Sequence, residues 1–271
     1  MKVTTIITTC GAVIVTALMA LSCVKETGKE VAKEQTDFSN KAFVQVFNGT
    51  INTTARNYVY VDGNAVTGTA MTYAASFPAT STPANFSVTS GVRTFLIRDT
   101  LVGSTQPPMS FAENFEAGKN YTIFMYDTST LVKQKTVGNN IVIPTDTTAR
   151  LRFANFAYSP NAIPAVDIFS VKRNGNIFSN VSLTEVTDFI PFDSRRTDTL
   201  IVRIAGSGTN LLNRTVTTSG TPPVVVTTFS PVQLILTATR LRSYTLIFRG
   251  GYRQDLTTGA TVRTLSLIAN N

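Results

Sequence analysis

The sequence predicts an all-β protein that consists of two tandem antiparallel β-sandwich domains. From Lys41 onward, apolar and polar residues alternate in short runs, which is typical of half-buried strands. After residue 40 no stretch shows a convincing helical period. Thr and Val, which favour strands, are abundant. The same order of strand-like segments also occurs twice, which indicates a repeated unit.

The first unit contains four segments with the strand pattern. Residues 42–47 alternate, and residues 58–61 lead into the tight turn Asp62-Gly63. Residues 94–98 and 121–125 follow in the same style. We predict a strand at each of these positions.

Four later segments repeat this order. Residues 149–155 correspond to residues 42–48, and residues 165–169 with the turn Asn174-Gly175 correspond to residues 57–63. Further along, residues 200–203 correspond to residues 95–98, and residues 244–248 correspond to residues 121–125. We therefore predict two immunoglobulin-like sandwiches, residues 41–148 and 149–271, each of about seven short strands. Residues 143–148 are the predicted linker, and a single larger sandwich is the alternative.

The N-terminal residues 1–22 have the features of a removable signal peptide. Lys2 precedes a Thr-containing apolar run that is marginal for a membrane-spanning helix. A plain secretory signal would need small residues before the cleavage point. The segment Leu18-Met19-Ala20-Leu21-Ser22-Cys23 instead resembles a lipobox, which implies a diacylated Cys23. Cys10 would then leave with the signal, so the mature chain would have no free thiol and no disulfide.

Residues 23–40 are predicted to be a flexible tether. Lys and Glu alternate there with little apolar surface to bury. Lys25-Glu26 resembles the charged signal that directs some Gram-negative lipoproteins to the outer face of the outer membrane, and a soluble spacer is the alternative. We expect an outer-membrane lipoprotein anchored through Cys23, and whether it faces the cell surface stays open.

The second unit resembles the domain of unknown function numbered 4397. The similarity rests on residues 149–155, on the loop and strand of residues 159–169, on the step Thr187-Asp188-Phe189, and on Tyr244-Thr245. The first unit matches only in outline. The resemblance implies a secreted or surface protein, often tandem and lipid-anchored, and it brings no catalytic residues.

The composition excludes most catalytic chemistry. The chain has no His, the commonest general base and metal ligand at neutral pH, and no Trp. It has no phosphate-binding loop, and thiol chemistry would end with acylation of Cys23. We therefore expect no enzyme, no cofactor and no metal. Asp167 is expected to accept backbone N–H groups from the preceding loop, with a metal or ligand role as the alternative.

Positive charge is concentrated in the second unit. Residues 149–271 contain thirteen Lys and Arg, twelve of them Arg, against six Asp and Glu, whereas residues 41–148 contain seven against six. Several arginines alternate with apolar residues and are expected to share one solvent face. Arg203, Arg240, Arg242 and Arg249 are the candidates for anion binding, because guanidinium groups bind phosphate and carboxylate in a bidentate way. Edge protection and solubility are the alternative.

Two functions remain open at this stage. The first is a non-catalytic envelope or surface lipoprotein that acts as a structural or interaction module. Its partners would be the membrane, through lipid on Cys23, and an envelope glycan or another surface protein. The second is a binding module for an anionic envelope component, such as lipopolysaccharide phosphate or acidic glycan. Nucleic acid is not an expected partner of an exported protein.

Overall fold

A computed structural model describes residues 37–51, 55–79, 85–141, 143–221, 223–253, 255 and 261–271. The predicted signal peptide, Cys23 and most of the predicted tether lie outside the described residues. Asn40–Asn271 forms one compact unit. Its described residues contain strands and turns but no helix, which confirms the all-β prediction. Accordingly, the described part of the chain offers no helix long and apolar enough to cross a membrane.

The first half, residues 41–148, forms two facing sheets. One has the order β4-β1-β8-β9, with β5 also paired to β1, and the other has the order β3-β2-β6-β7. The strands are β1 Lys41–Asn48, β2 Asn57–Val61, β3 Asn64–Ala65, β4 Ser76–Phe77, β5 Phe86–Thr89, β6 Gly91–Asp99, β7 Met109–Phe115, β8 Asn120–Tyr126 and β9 Lys133–Asn139.

The second half, residues 149–271, forms two sheets with the orders β13-β10-β18-β19 and β12-β11-β14-β17, and a separate hairpin β15-β16. The strands are β10 Ala149–Tyr158, β11 Val166–Ser170, β12 Gly175–Val181, β13 Ile190–Phe192, β14 Asp198–Ile204, β15 Leu212–Ser219, β16 Val224–Pro231, β17 Gln233–Leu236, β18 Ser243–Gly251 and β19 Thr264–Ala269.

The two halves repeat the same pairing order. In each half, we call the sheet that contains the first strand the inner sheet and the facing sheet the outer sheet. In the outer sheets, β2 and β6 of the first half correspond to β11 and β14 of the second. In the inner sheets, β1 and β8 correspond to β10 and β18. The four pairs of segments that the sequence places in correspondence therefore occupy matching positions. None of the described sheets includes strands from both halves.

Among the described strands, each half contains one parallel pair, and its other strand pairings are antiparallel. β1 runs parallel to β8, and β10 runs parallel to β18 over nine residue pairs. In each half the chain crosses between the two sheets more than once. β4 and β5, or β13 in the second half, first pair antiparallel with the first inner strand. After the later outer strands, β8 or β18 re-enters the inner sheet in the direction of the first strand. Alternation along a single strand does not report this direction, because it depends on where the chain re-enters the sheet.

Each half has its own hydrophobic core between its two sheets. In the first half, Val44 and Ile123 of the inner sheet meet Val59 and Phe95 of the outer sheet. In the second half the equivalent core includes Leu151, Phe153, Ile168, Val202 and Leu246. The sandwich prediction is confirmed by this arrangement, in which one face of each sheet is covered by its partner. The assignment of the halves as two separate domains, with a linker at residues 143–148, stays a prediction.

A third apolar cluster joins the inner sheets of the two halves. It contains Phe47 and Phe124 from the first half and Phe156 and Ile247 from the second. The rings of Phe124 and Phe156 stack with their centroids 4.6 Å apart. The inner sheets are therefore covered on both faces. This double coverage explains why seven consecutive residues of β10, from Leu151 to Ala157, are buried.

Candidate anion site between the two halves

A cleft of about 430 Å³ opens between the two halves, beside the third apolar cluster. The end of β9 and the residue after it form one wall, and β10 and the turn before β13 form the other. The lining residues are Val137, Gly138, Asn140, Arg150, Arg152, Val186, Thr187, Asp188 and Phe189. We call this space the Arg152 cleft.

Arg152 lies on β10 and is only 2% exposed, although it lines the cleft. Its Nε donates to the Thr245 Oγ1, 2.8 Å away on the neighbouring strand β18. Its Nη2 donates to the Asn139 Oδ1 at 2.6 Å and to the Thr122 Oγ1 at 3.5 Å, both in the first half. The guanidinium is thus held by hydrogen bonds from both halves.

The partners of Arg152 are themselves fixed in orientation. On one side, the Asn139 Nδ2 donates to the Thr122 Oγ1 at 2.9 Å, so the amide oxygen faces Arg152. On the other side, the Thr245 hydroxyl donates to the Asn270 Oδ1 at 2.7 Å and therefore presents a lone pair to Arg152. All of these residues are buried. The network positions the guanidinium before any ligand arrives.

The charge of Arg152 interacts with that of Asp188, which lines the same cleft, but Arg152 forms no ion pair within the described residues. The guanidinium carbon lies 4.7 Å from the ring centroid of Phe189. Burial lowers the pKa of Arg152 to about 9, and the charge of Asp188 opposes this shift. The side chain is therefore still protonated at neutral pH.

The arrangement suits an oxyanion. The Nη1 of Arg152 makes no hydrogen bond within the described residues, while Nε and Nη2 are engaged. Arg150 adds a second guanidinium to the lining, and Asp188 supplies one negative charge. A preorganised cation that is largely buried attracts a carboxylate or phosphate more strongly than the same cation in water does.

Two of the four predicted anion-binding arginines are occupied by contacts within the protein. Arg203 donates to the Asn210 Oδ1 at 2.8 Å, and its guanidinium carbon lies 3.4 Å from the ring centroid of Phe169. Arg249 donates to the Ser266 Oγ at 2.5 Å and stacks over Tyr73 of the first half. Neither residue lines the Arg152 cleft.

The other two, Arg240 and Arg242, are exposed in the connection between β17 and β18. Arg240 lines a shallow depression of about 510 Å³ together with Arg195, which also lines an adjoining depression with Arg173. Arg195 donates to the Thr147 Oγ1 at 3.0 Å. The four predicted residues are therefore divided among separate places, and the anion-binding role of each stays a prediction.

Two of the arginines that alternate with apolar residues, Arg152 and Arg263, are buried and do not lie on a solvent face. Arg263, on the segment leading into β19, is 8% exposed and donates to the Tyr252 carbonyl at 2.6 Å. Arg152 is covered because it lies on the face of the inner sheet that points away from the core of the second half, and this face packs against the first half. Its position in an alternating strand was visible in the sequence, but the sheet that covers it was not.

Asp167 accepts backbone N–H groups, in line with the structural interpretation. Its Oδ1 accepts from the Asn180 N–H at 2.7 Å, and its Oδ2 from the Gly206 N–H at 3.2 Å and the Asn176 side chain at 2.8 Å. Asn176 and Asn180 lie on β12, and Gly206 lies in the turn after β14. The expectation that the donors would come from the preceding loop was therefore wrong. Asp167 thus links β11 to the neighbouring strand β12 and to the turn after β14.

Possible metal ligands are scattered. Within the described residues no group of three or more His, Cys, Asp or Glu side chains is placed to hold a metal ion. Cys23, the predicted lipidation site, lies outside this part of the chain.

Comparisons with known proteins add little. No family model matches the chain, and no curated protein matches it. The resemblance of residues 149–270 to the domain numbered 4397 therefore stays a prediction. Among solved structures, the chain is similar to the family 26 carbohydrate-binding module CBMbc from Eubacterium rectale Amy13K in complex with maltoheptaose. That match has 11% identity, covers 83% of this chain and 96% of the other, and has a TM-score of 0.23. A score this low does not establish a common fold or a common ligand.

Proposed function

We propose that this protein is a non-catalytic module of the bacterial cell envelope that binds an anionic group in the Arg152 cleft. One observation carries the proposal. A nearly fully buried guanidinium, without an ion-pair partner in the described residues, lines a cleft that is open to solvent. Of the two functions that the sequence left open, this geometry favours the second, at a different place from the one predicted.

Burial of the charged Arg152 side chain has an energetic cost. Moving a charged guanidinium out of water costs roughly several kcal/mol, which uncharged hydrogen-bond partners offset only in part. Asn139, Thr122 and Thr245 supply such uncharged partners. An incoming oxyanion would complete the charge pair, so ligand binding would recover part of the desolvation cost. Arginine suits this role because its planar fork matches carboxylate and phosphate.

The cellular location belongs to the same proposal. Acylation at Cys23 would hold the protein at the outer membrane, and residues 24–40 would separate the sandwiches from the bilayer. A module anchored there meets two abundant oxyanions, the phosphates of lipopolysaccharide and the carboxylates of acidic glycans. Both share the chemistry that a buried guanidinium recognises. The overall surplus of Lys and Arg over Asp and Glu, 24 against 16, favours approach of either one.

Isothermal titration calorimetry on the full chain in detergent tests the proposal. The titrants are lipopolysaccharide, the same lipopolysaccharide after dephosphorylation, and polygalacturonate, all at pH 7. We expect Arg152→Gln to weaken binding of the preferred titrant by about tenfold or more, because one charge-assisted contact is lost. Arg253→Gln is the matched control, since it removes the same charge from an exposed side chain outside the cleft.

The three titrants separate the possible sources of the anion. Binding that is lost on dephosphorylation identifies lipopolysaccharide phosphate, and binding of polygalacturonate identifies a glycan carboxylate. Equal losses in Arg152→Gln and Arg253→Gln would instead point to diffuse surface charge. That result, or unchanged affinity in Arg152→Gln, would overturn the cleft as the binding site.

A further inference from the structure

The hairpin of β15 and β16 stands apart from the two sandwiches. Its strands pair over eight positions, from Leu212 opposite Pro231 to Ser219 opposite Val224. Among the described strands, neither pairs with any other. A two-stranded hairpin is at best marginally stable in water and gains stability when a further strand or surface covers it.

The two edges of the hairpin differ. The β15 edge is held near its base, where Arg263 donates to the Leu212 carbonyl and to the Asn213 Oδ1. Further along, Arg214 forms an ion pair with Asp255 at 3.2 Å. For β16, the described backbone hydrogen bonds go to β15 alone. Within the described residues, the outer edge of β16 therefore presents unpaired N–H and C=O groups.

The sequence of β16 has almost none of the residues that usually prevent an edge strand from pairing with another chain. Its sequence, Val-Val-Val-Thr-Thr-Phe-Ser-Pro, has no charged residue, and its only proline is the last position. Val225 and Phe229 are each 63% exposed. Exposed edge strands usually carry charges, prolines or bulges that prevent pairing with another chain. An eight-residue edge without such features is suited to accept another strand.

We propose that the outer edge of β16 pairs with β16 of a second copy of this chain, antiparallel and about a two-fold axis. The result is a four-stranded sheet with β15 at each outer edge. This inference rests on the hairpin alone and is independent of the anion site.

The symmetry restricts the register. A two-fold axis perpendicular to the sheet places one residue opposite its own copy. With Thr227 on the axis, Val225 lies opposite Phe229 of the other copy, and Val226 lies opposite Thr228. Pairs of β-branched and aromatic residues across antiparallel strands are favourable. This register also brings together the two most exposed apolar side chains of the strand.

A second copy fits this edge better than other occupants do. The strand is uncharged, so two copies meet without repulsion, and its β-branched and aromatic side chains are complementary to themselves. Val216 of β15, opposite Thr227, lies on the same face as Val225 and Phe229 and extends the apolar strip. The register centred on Thr227 follows from the two-fold symmetry of identical strands. An unrelated extended peptide or a lipid surface lacks this symmetry and would not select that register.

Disulfide cross-linking of the full chain in detergent tests the register. Thr227→Cys places two thiols opposite each other at the axis, within the reach of a disulfide. Thr218→Cys is the matched control, because Thr218 is an exposed threonine on the same face of the hairpin but on β15. We expect mild oxidation to produce a dimer linked through position 227 and no link through position 218. Equal cross-linking of both variants, or of neither, would overturn the proposal.

Charge substitution at the axis gives a second readout that does not depend on oxidation. Thr227→Lys and Thr227→Glu should each raise the dimer dissociation constant about fivefold or more, because like charges then face each other. Mixing the two variants should restore dimers. Sedimentation equilibrium measures this directly. A wild type that stays monomeric up to about 1 mM, or dimers unaffected by either charge, would refute the pairing. Vesicle binding that Thr227→Lys abolishes in a monomeric protein would point to a lipid surface instead.

Discussion

At the scale of single residues, Arg152 shows how a surface-type side chain becomes part of an interior. Its strand alternates as a surface strand would, yet its guanidinium is enclosed by Thr122 and Asn139 from one half and Thr245 from the other. Each partner is a neutral acceptor. Neutral acceptors satisfy hydrogen bonds but do not neutralise charge, which is the reason that we propose an anion as the ligand of this site.

The pH dependence of anion binding follows from this burial. Burial lowers the pKa of Arg152 to about 9. Below that value the guanidinium is charged, so sulfate binding, whose ligand does not titrate, should stay constant between about pH 6 and pH 8. It should fall as the pH rises above about 9, because the cation is lost. Calorimetry at stepped pH measures this, and binding unchanged at about pH 10.5 would contradict the assignment.

The stability of the network depends on Asn139. Replacing Asn139 with Ala removes the acceptor that lies 2.6 Å from the Arg152 Nη2 and should lower the free energy of unfolding by about 1–3 kcal/mol. Asn140→Ala is the control, because the neighbouring side chain is exposed. Urea denaturation compares the two variants. Equal stability of both would show that the hydrogen bond contributes nothing.

At the scale of elements, the inner strands differ from the outer ones in the number of covered faces. β2 alternates between buried and half-buried positions, as expected for a strand with one covered face. β10 is buried at every position from Leu151 to Ala157. Residues 42–47, 58–61, 94–98 and 121–125 were all predicted to be strands and lie within described strands, because alternation is a local signal.

The contact between the inner sheets is testable through Phe156. This side chain is buried and stacks on Phe124 of the other half. Phe156→Ala should lower the free energy of unfolding by about 3–5 kcal/mol, since it leaves a cavity in the third apolar cluster. Phe229→Ala, at an exposed position of the hairpin, should change it by less than about 0.5 kcal/mol in dilute protein. Similar values for both variants would mean that the cluster does not stabilise the fold.

At the scale of the whole molecule, two similar sandwiches form one compact unit, Asn40–Asn271. The repeat explains the matching strand orders, and the third apolar cluster explains why the halves associate. The Arg152 cleft exists only because they do, since its walls come from both. A site of this kind would be lost if either half were expressed alone.

Membrane attachment is the prediction that concerns the chain as a whole. Labelled palmitate should be incorporated into the wild type, and Cys23→Ala should abolish labelling, because it removes the thiol that we propose is acylated. Cys10→Ala is the matched control and should label normally. Protease treatment of intact cells would then distinguish the two faces of the outer membrane. A wild type that does not incorporate palmitate would overturn the lipoprotein assignment.

The sequence by itself determined the features that arise within a few residues of chain: the all-β class, the turns at Asp62-Gly63 and Asn174-Gly175, and the order of the repeated strands. Only the tertiary structure decided which sheet packs against each face of a strand. Asn139 and Thr245 are far apart in sequence, and only the packing of the two inner sheets brings both to Arg152. Alternation reports which residues share a face, but whether that face meets water or another sheet depends on contacts between distant parts of the chain.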